Sequence, residues 1–222
     1  MRMLSNTKSN VEYLNYWYDV MTLHSNSFKT LWKDILRESE NNRVNPDLLF
    51  GIIVIETMNR GGVYSSIETL ISYLFPSLVV KLDLSIGVGQ IKPSTLKREI
   101  GLEILPTVII RLLKIKDSIH FVGKLLSQYC LFLKFDSRNL SDTSFEPKLT
   151  ALVKKYTTGD YSCVDHPWIV IYSKLLELFC KNGVLSRSKI PPSVPSTSLQ
   201  KGGIATGRRM GRTCVLQITA RI

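Results

Sequence analysis

The stretch Leu48-Leu49-Phe50-Gly51-Ile52-Ile53-Val54-Ile55-Glu56-Thr57 decides the fold of this chain. It is an apolar segment that ends on a carboxylate. It follows Asn45-Pro46-Asp47, which is a strong helix start with Asn at the N-cap, Pro at the first helical position and an acid in the first turn. The sequence therefore predicts a helix that runs to about Met58 and stops at Arg60-Gly61-Gly62.

Glu56 falls on the apolar face of this helix, because it shares that face with Leu49, Ile52 and Ile53 at helical spacing. Burial on this face disfavours the charged carboxylate, and the negative end of the helix dipole acts in the same direction. Both effects predict a raised pKa for Glu56, which a general acid working near neutral pH requires. The alternative is a helix-terminal glutamate whose carboxylate reaches solvent past Ile53.

A second informative segment is the glycine-rich turn Ser85-Ile86-Gly87-Val88-Gly89-Gln90-Ile91-Lys92-Pro93-Ser94-Thr95. Gly87 and Gly89 flank a single Val88, so the backbone can adopt positive φ and approach a ligand closely. Gln90 offers donor and acceptor atoms either to sugar hydroxyls or to the backbone of its neighbours. The pattern lacks the further glycines and the Gly-Lys-Ser/Thr of nucleotide-binding loops, and a purely structural turn is the alternative.

Hydrophobic spacing predicts further helices along the chain. They are two helices within residues 11–40 with a break near Ser25-Asn26-Ser27, a short helix within 67–80, one with Pro93 in its first turn, one after Pro106, and amphipathic helices over 117–135, 146–156 and 164–180. Residues 82–91 are predicted to be extended, with small strands around the glycines. The expected fold class is mainly α, in an α+β arrangement with a small extended or β-like element around the glycine turn.

The net charge of +11 is concentrated at one end of the chain. Seven of the 29 basic residues and none of the 18 acidic ones lie in residues 182–222, which leaves +4 for residues 1–181. We therefore predict an N-terminal helical segment packing on the core (1–42), a central domain (43–182) and a flexible basic tail rich in Pro, Gly and Ser (183–222). The tail can contact anionic wall polymers or a membrane surface, serve as a delivery signal, or stay solvated without a role.

The four cysteines and three histidines show no metal-ligand spacing, so neither a metal site nor a cofactor is expected. Free thiols are expected, with one disulfide if the protein works outside the cell. Residues 1–10 are polar and no apolar segment follows them, so no classical signal peptide is predicted. The longest fully apolar run, residues 48–55, is shorter than the about 20 residues of a membrane span. A target outside the cytoplasm would then require non-classical export or host lysis.

Three segments carry a resemblance to a known family. Residues 87–95 resemble the "GLMQ-x-x-P-x-T" motif of lytic transglycosylases and goose-type lysozymes, and Glu56-Thr57 resembles the catalytic Glu-Ser pair of that family. Lys155-Tyr156-Thr157-Thr158-Gly159-Asp160-Tyr161 resembles its "Y-N-x-G" segment, whose tyrosine lies near the catalytic glutamate. The segments occur in the family's order and imply a lysozyme-like domain over roughly residues 40–180. This chain differs in having Gly89 for Met, Thr157 for Asn, and a longer stretch between the first two motifs.

The resemblance implies cleavage of the β-1,4 bond between N-acetylmuramic acid and N-acetylglucosamine, with peptidoglycan glycan strands as the partner. Glu56 is the expected catalytic acid. The residues expected to bind substrate are Thr57, Gly87, Val88, Gln90 and Tyr156. The Tyr156 hydroxyl is expected to hydrogen-bond Glu56 or the N-acetyl group, with a core tyrosine at a helix end as the alternative. Thr57 is expected to hold the Glu56 carboxylate, or else to bond back to its own helix.

Two reactions fit this set of residues. An inverting hydrolase needs a second carboxylate about 6.5–9.5 Å away to activate water. Asp83 is the best-placed candidate, although aspartate is also a common turn residue, and Glu68 and Asp160 are the others. A lytic transglycosylase needs no second carboxylate, because the 6-hydroxyl of muramic acid attacks within the same sugar. Since no base stands out, the sequence favours the transglycosylase.

Two other functions remain open at this point. One is a helical nucleic-acid-binding protein whose Arg-rich tail contacts phosphates, although the nearly neutral remainder of the chain argues against a specific nucleic-acid partner. The other is a lysozyme-like domain that binds glycan or a protein without catalysis. Secretion or lysis machinery is a further expected partner if the target is the cell wall.

Overall fold

The computed structural model describes residues 12, 14–21, 30–60, 62–160 and 167–183, and these residues are mainly helical, which confirms the mainly α part of the prediction. Residues 14–21 are helical. The helices that follow are α1 (Trp32–Asn41), α2 (Pro46–Arg60), α3 (Gly62–Leu74), α4 (Pro76–Leu82), α5 (Pro93–Ile100), α6 (Pro106–Leu113), α7 (Ile115–Phe132), α8 (Phe145–Thr158) and α9 (Pro167–Asn182). The predicted break at residues 25–27 lies outside the described residues, and so does the predicted tail apart from Gly183.

Helix α2 forms the centre of the structure. Every residue from Leu48 to Ile55 is buried, so the helix is enclosed on all sides rather than along the single stripe expected from its spacing. Helices α1, α7 and α9 pack around it. The contact with α9 is close, because a Cβ on Gly51 would lie 2.8 Å from Leu176 Cδ2. A helix that is apolar all round has to be surrounded in this way.

The start of α2 is set by Asn45, as predicted. Its side-chain Oδ1 accepts hydrogen bonds from the backbone N–H of Asp47 at 2.8 Å and of Leu48 at 3.2 Å. These are two of the donors that have no partner within the helix itself. The helix ends at Arg60, two residues beyond the predicted end. Burial decreases from Glu56 onward, so Glu56 lies where the helix leaves the core.

The region between α2 and α5 differs from the prediction. The apolar patch expected to form one short helix forms two, α3 and α4, because Pro76 cannot continue α3 and begins α4 instead. The described residues contain no β-strand. The turn predicted to hold small strands has one antiparallel bridge, in which Ile86 and Ile91 exchange backbone hydrogen bonds of 3.1 and 3.0 Å. The bridge closes the glycine turn into a compact loop.

Later elements follow local signals in the sequence. Pro93 and Pro106 each occupy the first turn of their helices, as predicted, and the three predicted amphipathic helices correspond to α7, α8 and α9. Cys130 and Cys180 are buried free thiols, and burial raises the pKa of Cys130 to about 11. Cys163 and Cys214 lie outside the described residues.

Candidate functional site

The described residues form a cleft of about 480 Å³. It is lined by the end of α2, the glycine turn and the start of α5, the middle of α7, the end of α8 and the start of α9. Four residues predicted for the site, Glu56, Asp83, Gln90 and Tyr156, lie in this lining. Segments that are far apart in the sequence therefore meet at one cleft.

Glu56 lies in the last turn of α2, directly after the buried run, and its side chain is half-buried. The hydroxyl of Tyr172 on α9 donates a hydrogen bond of 2.8 Å to Glu56 Oε1. Tyr172 is buried, and burial followed by the negative charge of Glu56 raises its pKa well above the ordinary value. Tyr172 therefore keeps its proton and remains a donor. The hydrogen bond fixes the position of the Glu56 carboxylate.

Tyr156 joins the end of α8 to the glycine turn. Its hydroxyl donates to the backbone carbonyl of Gly89 at 2.5 Å, so its one proton is directed at the turn. Desolvation, and then the charge of Glu56, raise the pKa of Tyr156 well above the ordinary value. The charge of Glu56 thus affects Tyr156, but the tyrosine that donates a hydrogen bond to Glu56 is Tyr172.

The glycine turn is held by its own hydrogen bonds. Gln90 donates to the carbonyl of Gly87 through its backbone N at 3.1 Å and its side-chain Nε2 at 3.0 Å. Its Oε1 accepts from the Ser85 hydroxyl at 3.3 Å. The Gln90 side chain was expected to bind either sugar hydroxyls or its neighbours, and in the structure it binds its neighbours in the turn.

The two glycines of the turn are needed for different reasons. Gly87 has a φ of +75°, as expected for a turn glycine, whereas the second residue with positive φ is Gln90 at +51° rather than Gly89. Gly89 is required by space, because a Cβ there would lie 2.1 Å from Val122 Cγ2 and 3.0 Å from Tyr156 Oη. The absence of a side chain lets the turn sit directly on α7.

Asp83 lines the cleft and also holds the start of α5 in place. Its Oδ1 accepts from the backbone N–H of Ser94 at 2.8 Å, and its Oδ2 accepts from the Ser94 hydroxyl at 2.6 Å. Both carboxylate oxygens therefore anchor the first turn of α5. The other predicted carboxylates, Glu68 on α3 and Asp160 after α8, are described residues that lie outside the lining.

Three of the residues predicted to bind substrate are not part of the cleft lining, as far as the described residues show. They are Thr57, Gly87 and Val88. The Thr57 hydroxyl is buried and has no hydrogen-bond partner within the described part of the chain, so it contacts neither the Glu56 carboxylate nor the helix backbone in the way expected. The Gly87 carbonyl accepts from Gln90, and Val88 packs against the core. These residues therefore belong to the structure around the cleft and not to its lining.

Tyr172, Trp168 and Arg98 were not predicted from the sequence. Trp168 and Tyr172 lie four residues apart on α9, with ring centroids 6.0 Å apart, and Trp168 lines the cleft. Their spacing could have placed them on one face. No local sequence signal indicated that this face of α9 contacts Glu56. Arg98 lines the cleft from α5, and its Nη2 donates to the Gly159 carbonyl at 3.4 Å.

Glu99 links the two walls of the cleft through ion pairs. Its Oε1 lies 2.6 Å from Arg98 Nε on α5 and 2.9 Å from Lys155 Nζ on α8. Burial acts to raise the pKa of Glu99. The hydrogen bonds and charges of Arg98 and Lys155 outweigh burial and hold the pKa below its ordinary value. Glu99 is therefore ionised at neutral pH and holds α5 against α8.

Replacing Glu99 with Gln should lower the free energy of unfolding by about 1–3 kcal/mol at neutral pH, because both cations lose their anionic partner. A folded-state pKa below the unfolded value contributes stability above the unfolded pKa of about 4.3, and this is lost as the pH falls through the folded pKa. The difference between variant and wild type should thus shrink on acidification below about pH 4 in urea unfolding. Glu103→Gln, at an exposed glutamate, is the control. A pH-independent difference would contradict this role.

Comparison with known proteins identifies no relative: no family model, curated protein or solved structure matches the chain. Within the described residues, no three His, Cys, Asp or Glu side chains are grouped so that they could hold a metal ion. The features that bear on function are therefore the cleft, Glu56 with its hydrogen bond from Tyr172, and the polar walls.

Proposed function

We propose that this chain cleaves the β-1,4 bond between N-acetylmuramic acid and N-acetylglucosamine in peptidoglycan, as a lytic transglycosylase with a lysozyme-like α+β domain. The supporting observation is that Glu56, the glycine turn and the Tyr156 segment meet at one cleft. These are the three segments on which the family resemblance rests. Their convergence is what a shared active site requires, and nothing in their sequence spacing imposes it.

Glu56 acts first as the general acid in this proposal. Its carboxyl group protonates the oxygen of the leaving sugar as the bond from that oxygen to the anomeric carbon breaks. The Tyr172 hydroxyl holds Oε1, and Glu56 lines the cleft. The resulting carboxylate then accepts the proton of the muramic acid 6-hydroxyl while that oxygen bonds to the anomeric carbon. The product is a 1,6-anhydro sugar, and Glu56 regains its proton.

The engagement of Asp83 supports transglycosylation over hydrolysis. A base that activates water needs a free carboxylate oxygen on the opposite side of the bond. Both Asp83 oxygens accept hydrogen bonds from Ser94, and disengaging them would release the first turn of α5. An internal nucleophile avoids this requirement, because the attacking oxygen belongs to the substrate.

The proposal is tested by digesting purified peptidoglycan with the full chain and reading the products by mass spectrometry. Anhydro-muropeptides are expected, and Asp83→Asn should form the same products if it folds normally. Reducing-end products that disappear in Asp83→Asn would identify a lysozyme with Asp83 as its base. If the wild type releases no fragments, the proposal fails for this substrate, and the domain would bind glycan or another partner without cleaving it.

Replacing Tyr172 with Phe should lower turnover by about tenfold, since a hydrogen bond to a charged carboxylate contributes about 1.5–3 kcal/mol. The limb of the pH–rate profile that reports Glu56 should move to higher pH, because the ionised carboxylate loses a donor. The measurement is the initial rate of muropeptide release against pH. Tyr73→Phe, at an exposed tyrosine, should change neither quantity. A lower rate with an unmoved profile would mean that Tyr172 only supports the fold.

A further inference from the structure

Helices α3 and α4 carry a cluster of apolar side chains directed to solvent. We call residues 66–82 the apolar hairpin. Its exposed large apolar residues have exposed fractions of 42–67%, and they are Ile67, Leu70, Tyr73, Leu74, Phe75, Leu78 and Leu82. Single exposed apolar residues are ordinary, but seven within 17 consecutive positions form a patch of the kind that marks an interaction surface.

The exposed side chains share the outer face of the hairpin. Helix α6 packs against both α3 and α4, and Ser72 and Val79 are buried on the inner side. Ile67, Leu70 and Leu74 follow helical spacing on the side of α3 opposite Ser72, and Leu78 and Leu82 lie on one side of α4 next to Val79. The hairpin is therefore attached to the fold by one face and presents a second apolar face outward.

The charge of the hairpin points to the chemistry of its partner. Apart from the apolar residues, its exposed positions are Ser66, Thr69, Ser77 and Lys81. Its one acidic residue, Glu68, is partly buried, so the outer face carries no exposed carboxylate and one exposed cation. The rim of a protein–protein interface is polar and solvent-accessible. Apolar and aromatic side chains beside one exposed lysine and no exposed carboxylate suit a phospholipid surface.

We propose that the apolar hairpin docks the protein on the surface of a phospholipid bilayer. Within the described residues no helix has the length and apolarity to cross a membrane, so the hairpin would lie in the interfacial plane. Leu82 is followed directly by Asp83, which lines the cleft. Docking would therefore hold the cleft next to the membrane. The proposal does not depend on the reaction catalysed, because it rests on the hairpin alone.

Flotation of the full chain with vesicles tests the proposal. One vesicle preparation is phosphatidylcholine alone, and a second contains added phosphatidylglycerol. The wild type should bind both, and binding to phosphatidylcholine should persist in about 0.5 M salt, where charge attraction by basic segments is screened. Leu74→Ser with Phe75→Ser should reduce the partition coefficient for phosphatidylcholine by about tenfold or more.

The matched control is Leu131→Ser with Phe132→Ser, an identical dipeptide change at the end of α7 where the side chains are 70% and 71% exposed. It should retain wild-type partitioning, and thermal unfolding should show that both variants fold. Equal losses in the two variants would overturn the proposal, as would wild-type binding that requires phosphatidylglycerol and vanishes in high salt. Concentration-dependent self-association that the Leu74 and Phe75 changes abolish, without vesicle binding by the wild type, would assign the face to a second copy.

Discussion

Replacing Glu56 with Gln should reduce the rate of peptidoglycan cleavage by about 10³-fold, the range expected when a general acid is removed. An amide cannot give a proton to the leaving oxygen, and it cannot take one from the attacking 6-hydroxyl. In the proposed reaction one residue performs both steps, so no second group can compensate. The amide oxygen of the variant can still accept the hydrogen bond from Tyr172, so the cleft should keep its shape.

The measurement is the initial rate of soluble muropeptide release, together with the binding of a glycan oligomer followed by the fluorescence of Trp168 in the cleft wall. Binding should be retained, because the substitution changes chemistry and leaves the cleft walls intact. Glu103→Gln makes the same chemical change at an exposed glutamate and should leave both quantities unchanged. Near-normal cleavage by Glu56→Gln would remove Glu56 from the mechanism.

Much of the helical framework was predictable because its signals are local. Asn45 caps α2 through donors two and three residues away, and Pro93 and Pro106 set the starts of their helices by their own geometry. The apolar hairpin was harder to predict. Its outward-facing apolar residues obscure the contrast between a buried and a solvated face, on which periodicity depends.

The site was predictable only in part, because sequence motifs do not specify which way neighbouring side chains point. Glu56 reaches the cleft, whereas Thr57 lies about 100° further round the helix and is buried outside it. In the glycine turn, Gln90 lines the cleft while the Gly87 carbonyl turns inward to accept from it. Tyr172 was missed because it contacts Glu56 across 116 positions of sequence, and only tertiary packing brings them together.

Replacing Gly89 with Ala should destabilise the fold by about 1–3 kcal/mol, the usual effect of adding a methyl group to a packed interior. The new Cβ would lie 2.1 Å from Val122 Cγ2, on a side chain that is fully buried in α7 and has no room to move. It would also press on the Tyr156 hydroxyl and disturb its hydrogen bond to the turn. The rate of muropeptide release should therefore fall as well, because Gln90 and the start of α5 move with the turn.

Removing the opposing methyl group should relieve this clash. Val122→Ala alone destabilises by creating a cavity, but combined with Gly89→Ala it makes room for the added Cβ. The double variant should then be more stable than the sum of the single changes predicts, by about 1 kcal/mol in urea unfolding. Gly101→Ala is the control, because its Cβ would meet open space and its effect arises from a φ of +70° alone. Val122→Ala should not rescue that variant. Additive effects at positions 89 and 122 would contradict direct contact between the glycine turn and α7. They would also contradict the explanation that Gly89 replaces the Met of the motif it resembles because a side chain has no space there.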